Sequence, residues 1–303
     1  MSTIPYSPLK DDLFFPCKNA RFFAGGTPKS EAALCAEMSR LAYCALADGG
    51  TPPNFAFDKN KITQVLANIG FSASSFHESR GNPTNEGVHC FVAIRQDNEL
   101  AVAAFRGTDK DDPTNVASDA NALFTPWPQG GKVHKGFHDC LQDVIGTLEP
   151  AISAIHCRLL FTGHSLGAAL ATLLASMHPP AALYTIGSPC VGNADFVATL
   201  QRVKNYRYVD CADIVTQIPP PLPGGYQHAG DPYYIFEDRH IQFNPSAATI
   251  LEDRARAILE YPLKFDILKK DVVGVRQLAD HTPVNYVSPI IAAPVQADGT
   301  PAG

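Results

Sequence analysis

The chain has 303 residues, of which 45% are hydrophobic and 18% are charged, and its 24 basic and 30 acidic residues give a formal net charge of −6. The absence of a Lys- or Arg-rich run argues against a nucleic-acid-binding protein and against docking on anionic lipid. No apolar run approaches the roughly 18 residues of a membrane-spanning helix, so the sequence predicts no transmembrane segment.

The first 28 residues are rich in Pro, Phe and Gly without a clear period, and we predict an irregular arm over residues 1–28. The N-terminus has neither a basic start nor an apolar core segment, which predicts no secretory signal peptide and a cytoplasmic protein. Secretion by a leaderless route, or from a precursor whose leader was removed, stays open. The eight cysteines are scattered without zinc-ligand spacing, so we expect no metal site and mostly free thiols.

After the arm, Ser30 can cap a helix whose apolar residues recur at three- and four-residue steps, and Gly49-Gly50 ends it. Apolar runs with β-branched or aromatic residues then predict strands, and periodic segments predict helices between them. The predicted strands are Val88–Arg95, Leu100–Phe105, Arg158–Thr162, Ala182–Ile186, Tyr206–Val209 and Tyr233–Phe236. The predicted helices are 137–148, Ser165–Met177, 193–200 and Ala247–Leu259.

This alternation of strands and helices predicts an α/β fold with a mostly parallel central sheet and helices on both faces. Without a linker or an internal repeat, we predict one domain over residues 1–303. The long connection 107–132 is rich in Gly, Pro, Asp and Asn, and a long connection in a compact domain is usually functional. The tail 292–303 consists largely of Ala, Pro and Gly and is predicted to be disordered.

A candidate nucleophile lies in Gly163-His164-Ser165-Leu166-Gly167, which fits the pattern Gly-x-Ser-x-Gly. A serine on a sharp strand-to-helix turn has a strained backbone and needs small neighbours, and the following helix directs N–H groups at the oxygen that becomes negative. The pattern alone is weak, but an apolar strand precedes it and an Ala- and Leu-rich segment follows it. This context favours Ser165 as a nucleophile.

A serine nucleophile needs a histidine to take its proton and a carboxylate to orient the imidazole. The histidines considered are His164, His178, His228, His240 and His281. His281 is favoured because the base of this fold class is expected in a late loop after the last structural element, whereas His164 adjoins the serine. For the acid, Asp213 and Asp210 both follow a predicted strand, and the choice between them stays open on these grounds.

Several further motifs occur within residues 85–287. They are Ala104–Thr108, Val133–Phe137, Gly163–Ala169, Gly187–Asn193, Asp213–Val215 with Pro219-Pro220, Gly225–His228, Tyr233–Ile235 and Asp280-His281. Together, and in this order, they resemble the motifs of the class 3 lipases, in which the first corresponds to the oxyanion segment, the third to the serine turn and the fifth to the acid segment. Cys190 departs from the family pattern, which often has Arg there. The resemblance implies an α/β-hydrolase fold with the catalytic triad Ser165, Asp213 and His281, and it makes His228 a structural residue.

The resemblance also implies an oxyanion hole formed by the backbone N–H groups of Leu166 and Thr108, with the Thr108 hydroxyl as a further donor. Asp119 is the matching candidate for holding that hydroxyl, and His164 is a supporting residue beside the serine. A mobile lid is implied between Thr108 and Val133, over residues 109–132. Its beginning is polar, and its apolar surface is concentrated near Phe124–Trp127.

The leading hypothesis is a lipase that cleaves acylglycerol esters through an acyl-serine intermediate, without a cofactor and with transient contact to a lipid–water interface. A soluble carboxylesterase, a phospholipase, an aryl (feruloyl-type) esterase or an acyltransferase would use the same residues. An alternative of another class is an inactive hydrolase-fold binding module. The presence of nucleophile, acid, base and oxyanion segments argues against that module.

Overall fold

The computed structural model describes residues 4–18, 21–24, 26–46, 56–79, 87–108, 123–221 and 224–294. Their strands are β1 (Phe71–Glu78), β2 (His89–Arg95), β3 (Leu100–Phe105), β4 (Phe124–Pro126), β5 (Lys132–His134), β6 (Arg158–His164), β7 (Ala182–Ile186), β8 (Asn205–Asp210), β9 (Pro232–Ile235) and β10 (Ile241–Phe243). Eight of these strands form one sheet in the order β1-β2-β3-β6-β7-β8-β9-β10, and β4 pairs with β5.

The sheet is parallel from β3 through β9 and antiparallel at its two edges. Parallel strands need long crossover connections, and helices supply them here. The described helices are α1 (Lys10–Phe14), α2 (Glu31–Leu41), α3 (Lys59–Ala67), α4 (Lys135–Ser153), α5 (Leu166–Met177), α6 (Ala194–Ala198), α7 (Ala247–Lys264), α8 (Arg276–Ala279) and α9 (Pro283–Ala292). None of them combines the length and the apolar character needed to cross a membrane.

Both faces of the sheet are covered, because successive residues of a strand point to opposite sides. Val102 and Ala104 of β3 pack in one apolar cluster with α2, α3 and α9. Ala103 and Phe105 pack in a second cluster with α4 and α5. The predicted α/β-hydrolase fold, with a mostly parallel sheet between two helical layers, is therefore confirmed.

Two expectations near the chain ends are wrong. The arm 1–28 is not wholly irregular, because helix α1 forms where Leu13 is buried against Tyr261 and Val273. His281 does not lie beyond the last structural element, since helix α9 follows it and packs against α2. The predicted disordered tail begins at Ala292, which is the last residue of this helix. Residues 295–303 of the tail lie outside the described part of the chain.

Candidate active site

Ser165 lies at the sharp turn between β6 and α5, with φ 57° and ψ −127°, a left-handed conformation that is strained for a residue with a side chain. Its N–H donates to the Ile186 carbonyl on the neighbouring strand at 3.0 Å. A Cβ atom at Gly163 would lie 2.3 Å from the Gly167 backbone, and one at Gly167 would lie 2.4 Å from the Phe105 carbonyl oxygen. The two glycines of the motif are therefore required by the close approach of backbone to backbone.

The predicted acid and base are in direct contact. His281 Nδ1 lies 2.9 Å from Asp213 Oδ2, and both side chains are buried. Asp213 Oδ1 accepts the Val215 N–H at 2.8 Å, and the Tyr286 hydroxyl donates to Oδ2. Gly187 leaves room for this group, since a Cβ atom there would lie 3.0 Å from Asp213 Oδ2. The carboxylate thus orients the imidazole through Nδ1, which leaves Nε2 as the nitrogen able to take up a proton.

His164 brings the base to the serine turn. Its ring lies 4.5 Å from the ring of His281, centroid to centroid, and its Nε2–H donates to the His281 carbonyl at 2.9 Å. The Tyr43 hydroxyl donates to its Nδ1 at 2.7 Å. Burial, followed by the nearby His281, lowers the pKa of His164 well below its usual range, so this imidazole is neutral and holds one tautomer. His164 therefore links the segment of His281 to the turn that carries Ser165.

Asp210, the competing acid, has a different partner. Arg239 donates two hydrogen bonds to its carboxylate, at 2.8 and 3.0 Å, and no hydrogen bond joins it to an imidazole among the described residues. This bidentate pairing satisfies both oxygens. The structure therefore places Asp213, and not Asp210, beside His281.

The other histidines considered have partners away from the serine turn. His178 bonds Glu149 and is the C-cap residue of α5, and His240 bonds Asp238 at the surface. His228 donates from Nε2 to the Thr216 carbonyl at 2.7 Å. Burial, aided by Arg207, lowers the pKa of His228 to about 3, which keeps its imidazole neutral.

The proposed oxyanion donors come from two segments close to the serine. Leu166 is the first residue of α5, where helix N–H groups lack intrahelical partners and the helix dipole favours negative charge. Thr108 follows Gly107, whose ideal Cβ position is 3.0 Å from the Ser165 Cβ. The Thr108 hydroxyl oxygen is buried without a hydrogen-bond partner among the described residues. Asp119 lies outside the described residues.

Trp127, in the second half of the candidate lid 109–132, is anchored to the body of the protein. Trp127 is buried, and its indole N–H donates to the Ser176 hydroxyl of α5 at 2.8 Å. This side chain, at the apolar end of the predicted lid, packs in the apolar cluster with α4 and α5. Residues 109–122 lie outside the described part of the chain.

Tyr43 and Tyr286 were not identified by sequence reasoning. Their hydroxyl groups contact His164 and Asp213 across 121 and 73 residues of sequence. Each tyrosine lies in an ordinary apolar segment, so no local pattern marks its partner.

Residues 102–222 match the family described as lipase (class 3). The chain is 37% identical over 216 residues to secreted mono- and diacylglycerol lipase 1 of Fusarium solani, covering 57% of this chain and 64% of the relative. It is 29% identical over 205 residues to secreted mono- and diacylglycerol lipase A of Penicillium cyclopium, covering 63% of each chain. The chain thus spans under two thirds of the length of these relatives. Their names describe secreted proteins, so they lend no support to the cytoplasmic expectation.

Solved structures of the same architecture include a lipase from Yarrowia lipolytica, with a TM-score of 0.53, 22% identity, and coverage of 67% of this chain and 78% of that chain. A triacylglycerol lipase whose catalytic centre is a serine protease triad superposes with a TM-score of 0.54 at 24% identity, covering 71% of this chain and 84% of that chain. These likenesses establish the α/β-hydrolase fold. The matched segment and the related sequences show that part of this chain is similar to class 3 lipases.

Proposed function

We propose that this protein is a serine hydrolase that cleaves acylglycerol esters through an acyl-Ser165 intermediate. The observation that carries the proposal is the buried hydrogen bond between Asp213 and His281 beside the serine turn. That arrangement is the acid–base half of a serine triad. The mono- and diacylglycerol lipases related to this chain support acylglycerols as the substrate class.

In this mechanism His281 takes the Ser165 hydroxyl proton as the oxygen attacks the ester carbonyl. The backbone N–H groups of Leu166 and Thr108 donate to the resulting oxyanion, which lowers the barrier by about 3 kcal/mol per donor. The protonated imidazole then gives its proton to the leaving alcohol. Water, activated by the same imidazole, releases the fatty acid and restores the serine. The Asp213 carboxylate orients the ring and stabilises the imidazolium.

The experiment is covalent labelling with a fluorophosphonate, which reacts with activated serines. We expect labelling of the protein and loss of labelling and esterase activity in Ser165→Ala. The exposed Ser246→Ala, which changes a helix N-cap far along the chain, is the matched control and should label normally. Retained labelling of Ser165→Ala would remove this serine from its role.

A soluble carboxylesterase is the second candidate, and the burial of Trp127 favours it. An interfacial lipase needs a lid with an apolar inner face, and fixing Trp127 in the core leaves less apolar surface for that purpose. Rates on an emulsified long-chain acylglycerol and on a dissolved short-chain ester separate the two. A preference for the emulsion supports the lipase, and equal or higher rates on the dissolved ester support the carboxylesterase.

A further inference from the structure

The N-terminal segment 4–10, here called the strap, runs along the segment that carries His281. Its backbone bonds the chain on both sides of α8. The bonds are Val273 N–H to Pro8 O at 2.8 Å, Lys10 N–H to Asp271 O at 2.9 Å, Ser7 N–H to Asn285 Oδ1 at 2.8 Å, and Asn285 Nδ2–H to Ser7 O at 2.9 Å. The strap is therefore held in register with residues 271–285 by paired backbone and amide hydrogen bonds.

This register places Tyr6 over a buried carboxylate. The Tyr6 hydroxyl donates to Asp280 Oδ1 at 2.8 Å, and Arg276 Nε donates to the same oxygen at 2.6 Å. The Tyr6 ring lies between Phe265, at 5.6 Å between centroids, and the guanidinium of Arg276, at 4.7 Å from the ring centroid. These ring contacts fix the direction of the hydroxyl independently of the hydrogen bond.

Asp280 links the two segments that supply the acid and the base. It directly precedes His281, and its Oδ2 accepts the N–H of Ala212 at 2.9 Å. Ala212 directly precedes Asp213. One fully buried side chain therefore fixes the separation of the two backbone segments from which the Asp213–His281 pair projects.

The charge on Asp280 matters to this link. Burial raises the pKa of Asp280, whereas Arg276, Arg239 and the hydrogen bonds from Ala212 and Tyr6 oppose that rise. Burial and the charge of Asp280 raise the pKa of Tyr6 well above its usual range, so Tyr6 remains a donor. The titratable and charged groups facing Asp280 are Tyr6, Arg276, Arg239, Asp210, Cys211 and Tyr261.

We infer that Tyr6 of the strap is a positioning residue for the reaction, acting through Asp280 to hold the base-bearing segment against the acid-bearing segment. The inference rests on the proposed function, in which His281 is the base. Tyr6 does not act on the substrate or the reacting atoms. Its hydroxyl keeps Asp280 ionised and correctly oriented.

The sign of the pH effect follows from the hydrogen bond. The Tyr6 hydroxyl stabilises the charged form of Asp280, so its removal favours the protonated form at a given pH. A protonated Asp280 accepts more weakly from Ala212 and Arg276, and the alignment of His281 with Asp213 loosens. The loss of activity in Tyr6→Phe should therefore grow as the pH falls.

The test compares kcat and KM of the full chain and of Tyr6→Phe on a dissolved ester from acidic to alkaline pH. We expect kcat to fall about tenfold at the acidic end of the profile and less than about twofold at the alkaline end, with KM unchanged, since a hydrogen bond to a charged group contributes about this much. The matched control is Tyr184→Phe, which removes a tyrosine–carboxylate hydrogen bond to Glu31 of 3.1 Å away from the triad, and it should keep the wild-type profile.

A pH profile identical to that of the wild type, or a loss of equal size at every pH, would overturn the positioning role. Fluorophosphonate labelling of the wild-type protein separates this result from failure of the proposed function. Labelled wild type with an unshifted Tyr6→Phe profile refutes only the role of Tyr6, whereas unlabelled wild type refutes both. Thermal unfolding at alkaline pH verifies that Tyr6→Phe is folded.

Discussion

Tyr286 connects the candidate acid to the strand that precedes it. Its hydroxyl donates to Asp213 Oδ2 and accepts the Asp210 N–H at 3.0 Å. Burial, followed by the charge of Asp213, raises the pKa of Tyr286 well above its usual range, so the group stays protonated. The donated hydrogen bond fixes the oxygen that contacts His281.

Removing this hydroxyl in Tyr286→Phe should lower kcat about tenfold, because a buried charge-assisted hydrogen bond is lost while the ring still fills its site. Steady-state rates on a dissolved ester measure the effect. Tyr208→Phe is the matched control, since that buried hydroxyl has no hydrogen-bond partner among the described residues and should leave kcat unchanged. Equal rates for wild type and Tyr286→Phe would show that Asp213 needs no second donor.

At the scale of the element, the serine turn depends on how closely α5 approaches β3. A Cβ atom at position 167 would meet the backbone carbonyl oxygens of Phe105 and Arg106 at 2.4 and 2.7 Å. Backbone atoms of a central strand cannot move aside as a flexible side chain can. The helix can therefore begin where it does only with glycine at this position.

Gly167→Ala should destabilise the fold by about 3 kcal/mol or more, because the clash forces the strand and the helix apart. Denaturant unfolding of the purified variant measures the loss. Gly146→Ala, on the exposed face of α4 with no atom within 4 Å of its added Cβ, should instead stabilise by about 0.5–1 kcal/mol. A Gly167→Ala protein as stable as the wild type would contradict the close approach.

For the whole molecule, His228 makes folding sensitive to acid. Its pKa of about 3 in the folded protein lies below the value of about 6.5 for an unfolded chain. The unfolded state therefore binds more protons between these values, and stability present above pH 6.5 is lost as the pH falls toward 3. The buried, neutral His164 acts in the same direction.

His228→Gln retains a donor for the Thr216 carbonyl but cannot titrate. Its free energy of unfolding should fall less steeply with pH than that of the wild type between about pH 6 and pH 4, by up to about 1.4 kcal/mol per pH unit. Chemical denaturation across this range measures the slope, with pH 8, where both proteins carry no charge at this position, as the reference. Parallel curves for the two proteins would exclude a titrating role of His228 in stability.

The features that depend on a local sequence pattern can be predicted from the sequence. The strands from β2 to β9 of the main sheet and the serine turn were predicted because burial on both faces leaves continuous apolar runs and because two glycines bracket Ser165. The choice of Asp213 required the family resemblance, since Asp210 has the same local setting.

The features that the sequence does not predict depend on contacts between residues far apart in the chain. Strand β1 carries Ser, His and Glu at an exposed sheet edge, so its sequence lacks the apolar signal of a buried strand. Trp127 resembles a lid residue until its hydrogen bond to Ser176 places it in the core. The partners of Tyr6 and Tyr43 lie 274 and 121 residues away, beyond any periodicity a sequence can display.

The separation of 278 residues between Ser7 and Asn285 has a consequence for synthesis on the ribosome. A growing chain contains the serine turn and Asp213 long before it contains His281 and the helix that secures it. The strap has no hydrogen-bond partner at Asn285 until 278 further residues have been added after Ser7. If the proposed function holds, hydrolytic activity should therefore arise only after α9 has left the ribosome.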